Sequence, residues 1–268
     1  MSINTELFDF IKNSPTAYHA VATIKKELIR NGYKEISLGE GAKLVDGEGY
    51  FVTKNSSSVI AFRYNSIANG FMIAASHSDS PAFRLKLTPE LTGTYTRLDV
   101  ERYGGMINYT WLDRPLSVAG RVMVKTELGL ESRLVNLDRD VAVIPSIAIH
   151  INRTVNDGYK FNPASDLVPL VASSEGKGDI MNEIASKLDV SAADIVSHDI
   201  FVYNRDEGKV FGSRGEFIMS PRLDDLECVF ASLKEILSKK NIFVILTKVC
   251  QLSRQKIILL TTSATKSI

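Results

Sequence analysis

The stretch from Phe71 to Pro81 constrains the fold most, because an apolar run ends there in a cluster of polar groups. Residues 71–75 carry no charge, which is typical of a strand covered on both faces, although so short a run does not exclude a helix. On an extended backbone His77 and Asp79 point to the same side, so an imidazole and a carboxylate can serve one site. The pair is either an ordinary polar strand end or part of a metal site, since imidazole binds zinc and a carboxylate can orient it or act on a substrate.

The residues before this stretch predict two helices and a hairpin. The first helix covers residues 5–12, and a second is capped by Thr16 and closed by Asn31-Gly32. His19 falls in the first turn of the second helix, where a packing or capping role is the simplest interpretation. Alternating apolar residues on both sides of the turn at 54–57 then predict a hairpin, so the region indicates a mixed sheet.

From Pro81 to about Arg214 the pattern is β-rich, with one short amphipathic helix predicted at residues 177–188. His150 stands at the end of an apolar run and His198 lies within another. Taken alone, both are better explained as strand histidines than as catalytic groups.

Composition excludes some classes of partner. Lys plus Arg number 32 and Asp plus Glu 31, so the chain lacks the basic excess of a nucleic-acid or membrane-surface protein. Its amino terminus lacks signal-peptide features, and no uncharged run is as long as a membrane span. Cys228 and Cys250 show no ligand spacing and are predicted to be free core thiols, which together with the rest favours a cytoplasmic protein.

A later helix opens on two adjacent carboxylates, Asp224 and Asp225, with apolar residues at helical spacing behind them. Acidic residues at a helix amino terminus are explained by the helix dipole alone. The alternative makes Asp224 a metal ligand, because a carboxylate can bridge two divalent ions and a two-metal site can generate hydroxide at neutral pH.

Together these motifs resemble the aspartyl aminopeptidases, two-zinc enzymes that remove acidic residues from peptide amino termini. The matching motifs follow the family's order over roughly residues 5–237: Ser14-Pro-Thr-Ala-Tyr-His-Ala-Val21, Ser76-His-Ser-Asp-Ser-Pro81, Tyr103-Gly-Gly105, Trp111-Leu-Asp-Arg114, Ile144-Pro-Ser-Ile-Ala-Ile-His-Ile151 and Ser220-Pro-Arg-Leu-Asp224.

The resemblance implies a role for each candidate residue. His77 would be a terminal ligand of one zinc, Asp79 its supporting carboxylate, and Asp224 the carboxylate that bridges two zinc ions. His150 would reach the active site of a partner subunit and stabilise the tetrahedral intermediate. In the family, two zincs activate a water, a glutamate takes its proton, and hydroxide attacks the first peptide carbonyl of a substrate with amino-terminal Asp or Glu.

The implied architecture is an α/β catalytic domain of mixed-sheet type, present in part, with an inserted β-rich dimerisation domain. Its parts would be residues 1–82 and 216–240 for the catalytic domain and residues 83–215 for the insertion. A homo-oligomer built from dimers is expected.

The carboxyl-terminal residues depart from the family. The family has paired glutamates, then an aspartate and a histidine ligand, after the strand that here would begin at Asn241. Residues 236–268 instead contain no Asp, Glu, Gly or Pro. We interpret residues 241–268 as an aberrant tail produced by a reading-frame shift between Val244 and Thr247. The alternative is a divergent tail that packs as a strand and a helix.

Two classes of function follow. By resemblance the chain is a zinc-dependent aminopeptidase, but with the general base and most ligands missing it is expected to bind metal weakly and to be inactive alone. The rival is a non-catalytic subunit or dimerisation fragment that acts on a full-length copy through His150. A carboxypeptidase or deacylase with the same two-zinc fold is disfavoured, because the β-domain motifs fit aminopeptidases better.

Overall fold

The computed structural model describes residues 2–37, 39, 41–65, 72–176, 179–238 and 242–247. They divide into two compact units, each built from two stretches of chain. The five-stranded unit comprises residues 20–79 and 224–268, and the six-stranded unit comprises residues 1–19 and 80–223. We name the units after their main sheets. The predicted boundaries at 82, 215 and 240 stay predictions.

The five-stranded unit contains a mixed sheet, as the sequence predicted. Its strands are β1 (Lys34–Glu35), β2 (Gly49–Lys54), β3 (Ser58–Arg63), β4 (Met72–His77) and β13 (Ile242–Thr247). They lie in the order β1-β2-β3-β13-β4, with β2 and β3 forming the expected antiparallel hairpin. Strand β13 enters between β3 and β4, antiparallel to the first and parallel to the second. The chain from residue 248 onward, including Cys250 and most of the predicted aberrant tail, lies outside the described residues.

The prediction that the strand before His77 is covered on both faces is wrong. Strand β4 lies at the edge of this sheet, and the side chains of Met72 and Ile73 are 66% and 60% exposed. The sequence shows only that these residues are apolar. Position within a sheet depends on which strands pair, and β4 pairs with β13 on one side.

Two helices contribute most of their residues to this unit. Helix α2 (Ala17–Arg30) buries an apolar stripe of Ala20, Val21, Ile24 and Leu28, and Gly32 follows it with a positive φ of 82°. That conformation is the usual end of a helix and is accessible to glycine without strain. Helix α5 (Leu223–Leu237) buries Leu226, Val229, Phe230, Leu233 and Ile236 at helical spacing. Ile29 lies beside this stripe and is 54% exposed.

The six-stranded unit is mainly β, in agreement with the prediction for residues after Pro81. Its strands are β5 (Ala82–Leu91), β6 (Tyr95–Tyr103), β7 (Leu116–Thr126), β8 (Gly129–Asn136), β9 (Leu170–Ser173) and β10 (Ile195–Asn204). They form an antiparallel sheet in the order β8-β7-β10-β5-β6-β9. A small hairpin of β11 (Lys209–Phe211) and β12 (Phe217–Met219) follows.

The described part of this unit also contains the α-helices α1 (Ile3–Lys12), α3 (Pro163–Asp166) and α4 (Asp179–Lys187). Helix α4 lies within the predicted range of 177–188, and residues 177 and 178 are outside the described part of the chain. The core is formed by alternating side chains of the long strands, among them Leu98, Leu116, Val122, Ile200 and Val202. Their complete burial removes apolar surface from water, which is the main favourable contribution to folding.

Three predictions about single residues have different outcomes. His198 is a buried residue of strand β10, as expected of a strand histidine. His150 is not in a strand but in an exposed turn, because the apolar run before it leaves the sheet at Pro145. Cys228 is a free cysteine, but it is exposed and not in the core. Among the described residues, no helix is long and apolar enough to cross a membrane.

Candidate metal site at the end of strand β4

The side chains of His77, Asp79, Asp224 and Asp225 meet within the five-stranded unit. Strand β4 ends at His77, and Asp224 and Asp225 open helix α5, where their backbone is not yet helical. The Asp224–Asp225 peptide bond is cis. Residues that are about 150 positions apart in sequence therefore share one edge of the sheet.

The His77 ring is oriented by hydrogen bonding at one nitrogen. Its Nδ1 lies 2.9 Å from the backbone oxygen of Asp79 and 3.3 Å from the Asp79 carboxylate. Since both are acceptors, we assign the ring proton to Nδ1. Nε2 then carries a lone pair and lies 3.2 Å from Oδ1 of Asp224. In the neutral ring both atoms are electron-pair donors that can share one cation, whereas a protonated ring would donate from Nε2 to Oδ1.

Asp225 holds the backbone of His77 in place. Its Oδ2 accepts a hydrogen bond from the His77 amide at 2.9 Å, and its side chain is only 17% exposed. The same carboxylate accepts a hydrogen bond from the Cys228 thiol, which raises the pKa of that thiol to about 11. From the sequence, Asp225 was predicted only to lie at the start of a helix. The sequence signal that could have identified Asp225 is that two aspartates are adjacent. In the structure Asp224 faces the imidazole of His77, and Asp225 binds the His77 backbone.

The pair His77 and Asp224 fits zinc in donor type and in spacing. Two ligands of a tetrahedral zinc with bonds of about 2.0 Å lie about 3.3 Å apart, close to the 3.2 Å between Nε2 and Oδ1. The bond from Nδ1 to a carbonyl oxygen is the usual outer-shell support of a zinc-binding histidine. The number of donors does not suffice, because the described residues contain no group of three or more His, Cys, Asp or Glu that could hold a metal ion. Two donors are therefore present where a zinc site needs three or four protein ligands.

The candidate residues occupy different environments. The Asp79 carboxylate is buried, with 7% of its side chain exposed, whereas the Asp224 side chain is 86% exposed. Burial behind His77 suits a supporting role, and exposure suits a ligand that reaches an ion. His150 belongs to the six-stranded unit and is exposed in the turn at residues 149–151.

Comparison with known proteins agrees with this chemistry. The family model described as aminopeptidase I zinc metalloprotease (M18) matches residues 10–251. A probable M18 family aminopeptidase 2 of Clostridium novyi is 42% identical over 248 residues, covering 88% of this chain and 57% of its own length. The structure of Chaetomium thermophilum mApe1 is 30% identical with a TM-score of 0.86, covering 98% of this chain and 66% of that one. An mApe1 dodecamer of S. cerevesiae, 23% identical with a TM-score of 0.77, shares the fold.

A histidine and carboxylates at a sheet edge of a mixed α/β fold are the donor types found in the sites of metallohydrolases. The chain belongs to the M18 family of zinc metalloprotease aminopeptidases. It spans little more than half the length of the curated relatives it matches. Residues 252–268 lie beyond the family match.

Proposed function

We propose that this chain carries the first half of a zinc aminopeptidase site that acts on peptides with amino-terminal Asp or Glu. The observation that carries the proposal is the oriented His77 Nε2 at 3.2 Å from the Asp224 carboxylate. The acidic preference rests on the resemblance to aspartyl aminopeptidases alone. Bound zinc would supply a Lewis acid and a hydroxide at neutral pH.

The chain's own residues prepare this site in three ways. The Asp79 carbonyl fixes the ring proton on Nδ1 of His77, so that Nε2 is available as a ligand. Asp225 fixes the His77 backbone. Asp224 presents an exposed carboxylate at the spacing of a second ligand. The glutamate that the resemblance assigns as general base is not among these four residues, so we propose that the chain alone does not hydrolyse peptides.

Metal titration tests this proposal. Purified chain is expected to bind Co²⁺ or Zn²⁺ weakly, with a dissociation constant of about 10 μM or more, since two ligands are too few for a structural site. His77→Ala should abolish this binding, whereas His150→Ala, a matched removal of one histidine, should leave it unchanged. The same preparation should release no Asp from an Asp-initiated peptide.

Two results would contradict the proposal. Tight binding that survives His77→Ala would place the metal elsewhere. Release of amino-terminal Asp by the purified chain, abolished by chelator, would show that the chain has a complete site.

A second candidate function, a subunit that acts on a full-length copy, is favoured by the surroundings of His150. Around this residue Ile147, Ile149 and Ile151 are 51%, 45% and 80% exposed. An exposed apolar segment of this kind is common at protein interfaces. We propose that the segment docks against another M18 chain and brings His150 to its active site. Homo-oligomerisation through dimers belongs to the same proposal.

Mixing the chain with a full-length M18 aminopeptidase checks this function. The chain is expected to change the partner's rate of Asp release, and His150→Ala should change it differently, because oxyanion donors contribute about 100-fold or more to the rate. His198→Ala is unsuitable as a control, since His198 is buried. Arg30→Ala, at an exposed position of α2 outside the segment, provides one. Identical effects of wild type and His150→Ala would exclude a role for His150.

A further inference from the structure

The exposed segment that carries His150 begins beside Asp113. Ile144 is completely buried, and every residue from Pro145 to Ile151 is exposed. Within the segment a turn closes through the Ile151 amide, which donates to the Ala148 oxygen at 2.9 Å. The position of His150 therefore depends on how the chain is held where it leaves the sheet.

Asp113 holds the chain at this exit from both its backbone and its side chain. Its amide donates to the Ile144 oxygen at 2.9 Å, and its Oδ1 accepts from the Ser146 amide at 2.9 Å. The Ser146 hydroxyl also bonds to the carboxylate, and these hydrogen bonds lower the pKa of Asp113. The residue before it, Leu112, forms a bridge with Ile144. One residue thus fixes the chain on both sides of Pro145.

The residues just before Asp113 are packed against the core. Trp111 is 9% exposed and its ring contacts Phe83 edge to face, with centroids 4.9 Å apart. Asp113 itself has a φ of 57°, a left-handed conformation that aspartate tolerates better than most residues. The hydrogen bonds of Asp113 to Ile144 and Ser146 are called the clamp below. His150 follows Ser146 by four residues, so it stays within about 14 Å of the clamp even if the chain between them is fully extended.

A different carboxylate holds the far end of the same loop. Asp166 accepts hydrogen bonds from the Tyr159 hydroxyl and the Asn162 amide, both at 2.8 Å. Leu167, directly after it, is completely buried. Asp166 is partly exposed, and it forms no hydrogen bond with Ser146 among those described. It therefore provides a matched comparison for Asp113.

We propose that Asp113 is a positioning residue that sets the exit direction of the segment carrying His150. Its contribution to catalysis rests on the proposed function of His150 in a partner's site. Its contribution to the loop does not, because the clamp consists of hydrogen bonds within the six-stranded unit. Two readouts can therefore separate the two ideas.

The first readout is local and uses the purified chain. Asp113→Ala is expected to speed amide exchange at Ser146 by about tenfold or more, the factor for losing a hydrogen bond to a charged group. Trypsin cleavage after exposed Arg153 should also become faster. Asp113→Asn, whose side-chain oxygen can still accept from the Ser146 amide, should restore most of the protection. Asp166→Ala should leave Ser146 exchange near the wild-type rate.

The second readout is the effect on a full-length M18 aminopeptidase in the mixing experiment. Asp113→Ala should reproduce the effect of His150→Ala, and Asp113→Asn should resemble wild type. If Ser146 exchange and Arg153 cleavage are unchanged in Asp113→Ala, while its unfolding midpoint matches wild type, the positioning role is wrong. If both increase but His150→Ala has no effect on the partner, the clamp stands and the proposed function of His150 fails.

If Asp113→Ala does not fold, Asp113→Asn and Ser146→Pro decide the question. Ser146→Pro removes the donor amide and keeps the carboxylate. Faster cleavage after Arg153 in this variant supports the clamp, and wild-type cleavage overturns it.

Discussion

Gly120→Ala is expected to destabilise the six-stranded unit by about 2–3 kcal/mol. Gly120 lies in β7 opposite Ile200 of β10, at the centre of the sheet. A Cβ added there would lie 2.1 Å from the Asp199 backbone oxygen and 2.7 Å from Cα of Ile200. Both are backbone atoms of a paired strand, so they cannot move aside as a flexible side chain could. The two strands would have to move apart, which would weaken the hydrogen bonds between them.

Thermal or urea unfolding of Gly120→Ala checks this expectation, and a fall in the thermal midpoint of about 5 °C or more is expected. Gly105→Ala is the matched control, because a Cβ at Gly105 meets nothing within 4 Å and the residue has no positive φ. Equal midpoints for the two variants would show that β7 and β10 are not in this close contact.

Lowering the pH from 7 to 5 is expected to reduce stability by about 2 kcal/mol through His19 alone. Burial lowers the pKa of His19 to about 4, and Thr16 Oγ1 lies 2.9 Å from its Nδ1. The unfolded chain takes up a proton near pH 6.5, and the folded chain does so only near pH 4. The stability contributed by neutral His19 is therefore present above pH 6.5 and is lost as the pH falls towards 4. Burial lowers the pKa of His198 as well, so His198 adds to the effect in the same direction.

Urea titrations at pH 7 and pH 5 measure this linkage. His19→Gln keeps a hydrogen-bonding side chain beside Thr16 but does not titrate, so it should lose about 2 kcal/mol less than wild type between the two pH values. Asp113, Asp166 and Asp199 have lowered pKa values, so their carboxyl groups are ionised at both pH values. They therefore do not contribute to the measured difference in stability. Equal losses in wild type and His19→Gln would show that His19 is not buried in its neutral form.

The sequence alone predicted many of the local elements. Alternating residues around the turn at 54–57 predicted the hairpin of β2 and β3, and the spacing of Ala20, Ile24 and Leu28 predicted helix α2. These features depend on neighbouring residues, whose side-chain direction follows from backbone geometry. The ordered motifs also led to the family, which the comparison confirmed.

Features that depend on distant residues were not predictable in this way. The apolar residues of β4 were expected to be buried, but their exposure depends on where β13 enters the sheet. The apolar run before His150 was expected to be a strand, but it leaves the sheet at Pro145, where Asp113 from another part of the chain accepts a hydrogen bond from the Ser146 amide. Cys228 was expected in the core, yet its position on α5 faces outward.

The sequence by itself therefore determined which residues could bind metal, since imidazole and carboxylate donors are properties of single side chains. Only the tertiary structure decided how they are arranged. It brought Nε2 of His77 to within 3.2 Å of Oδ1 of Asp224, and it placed the Asp225 carboxylate where it accepts a hydrogen bond from the His77 amide. The physical reason is that local preferences act over a few residues, whereas a site joins residues that only the pairing of strands and the packing of helices bring together.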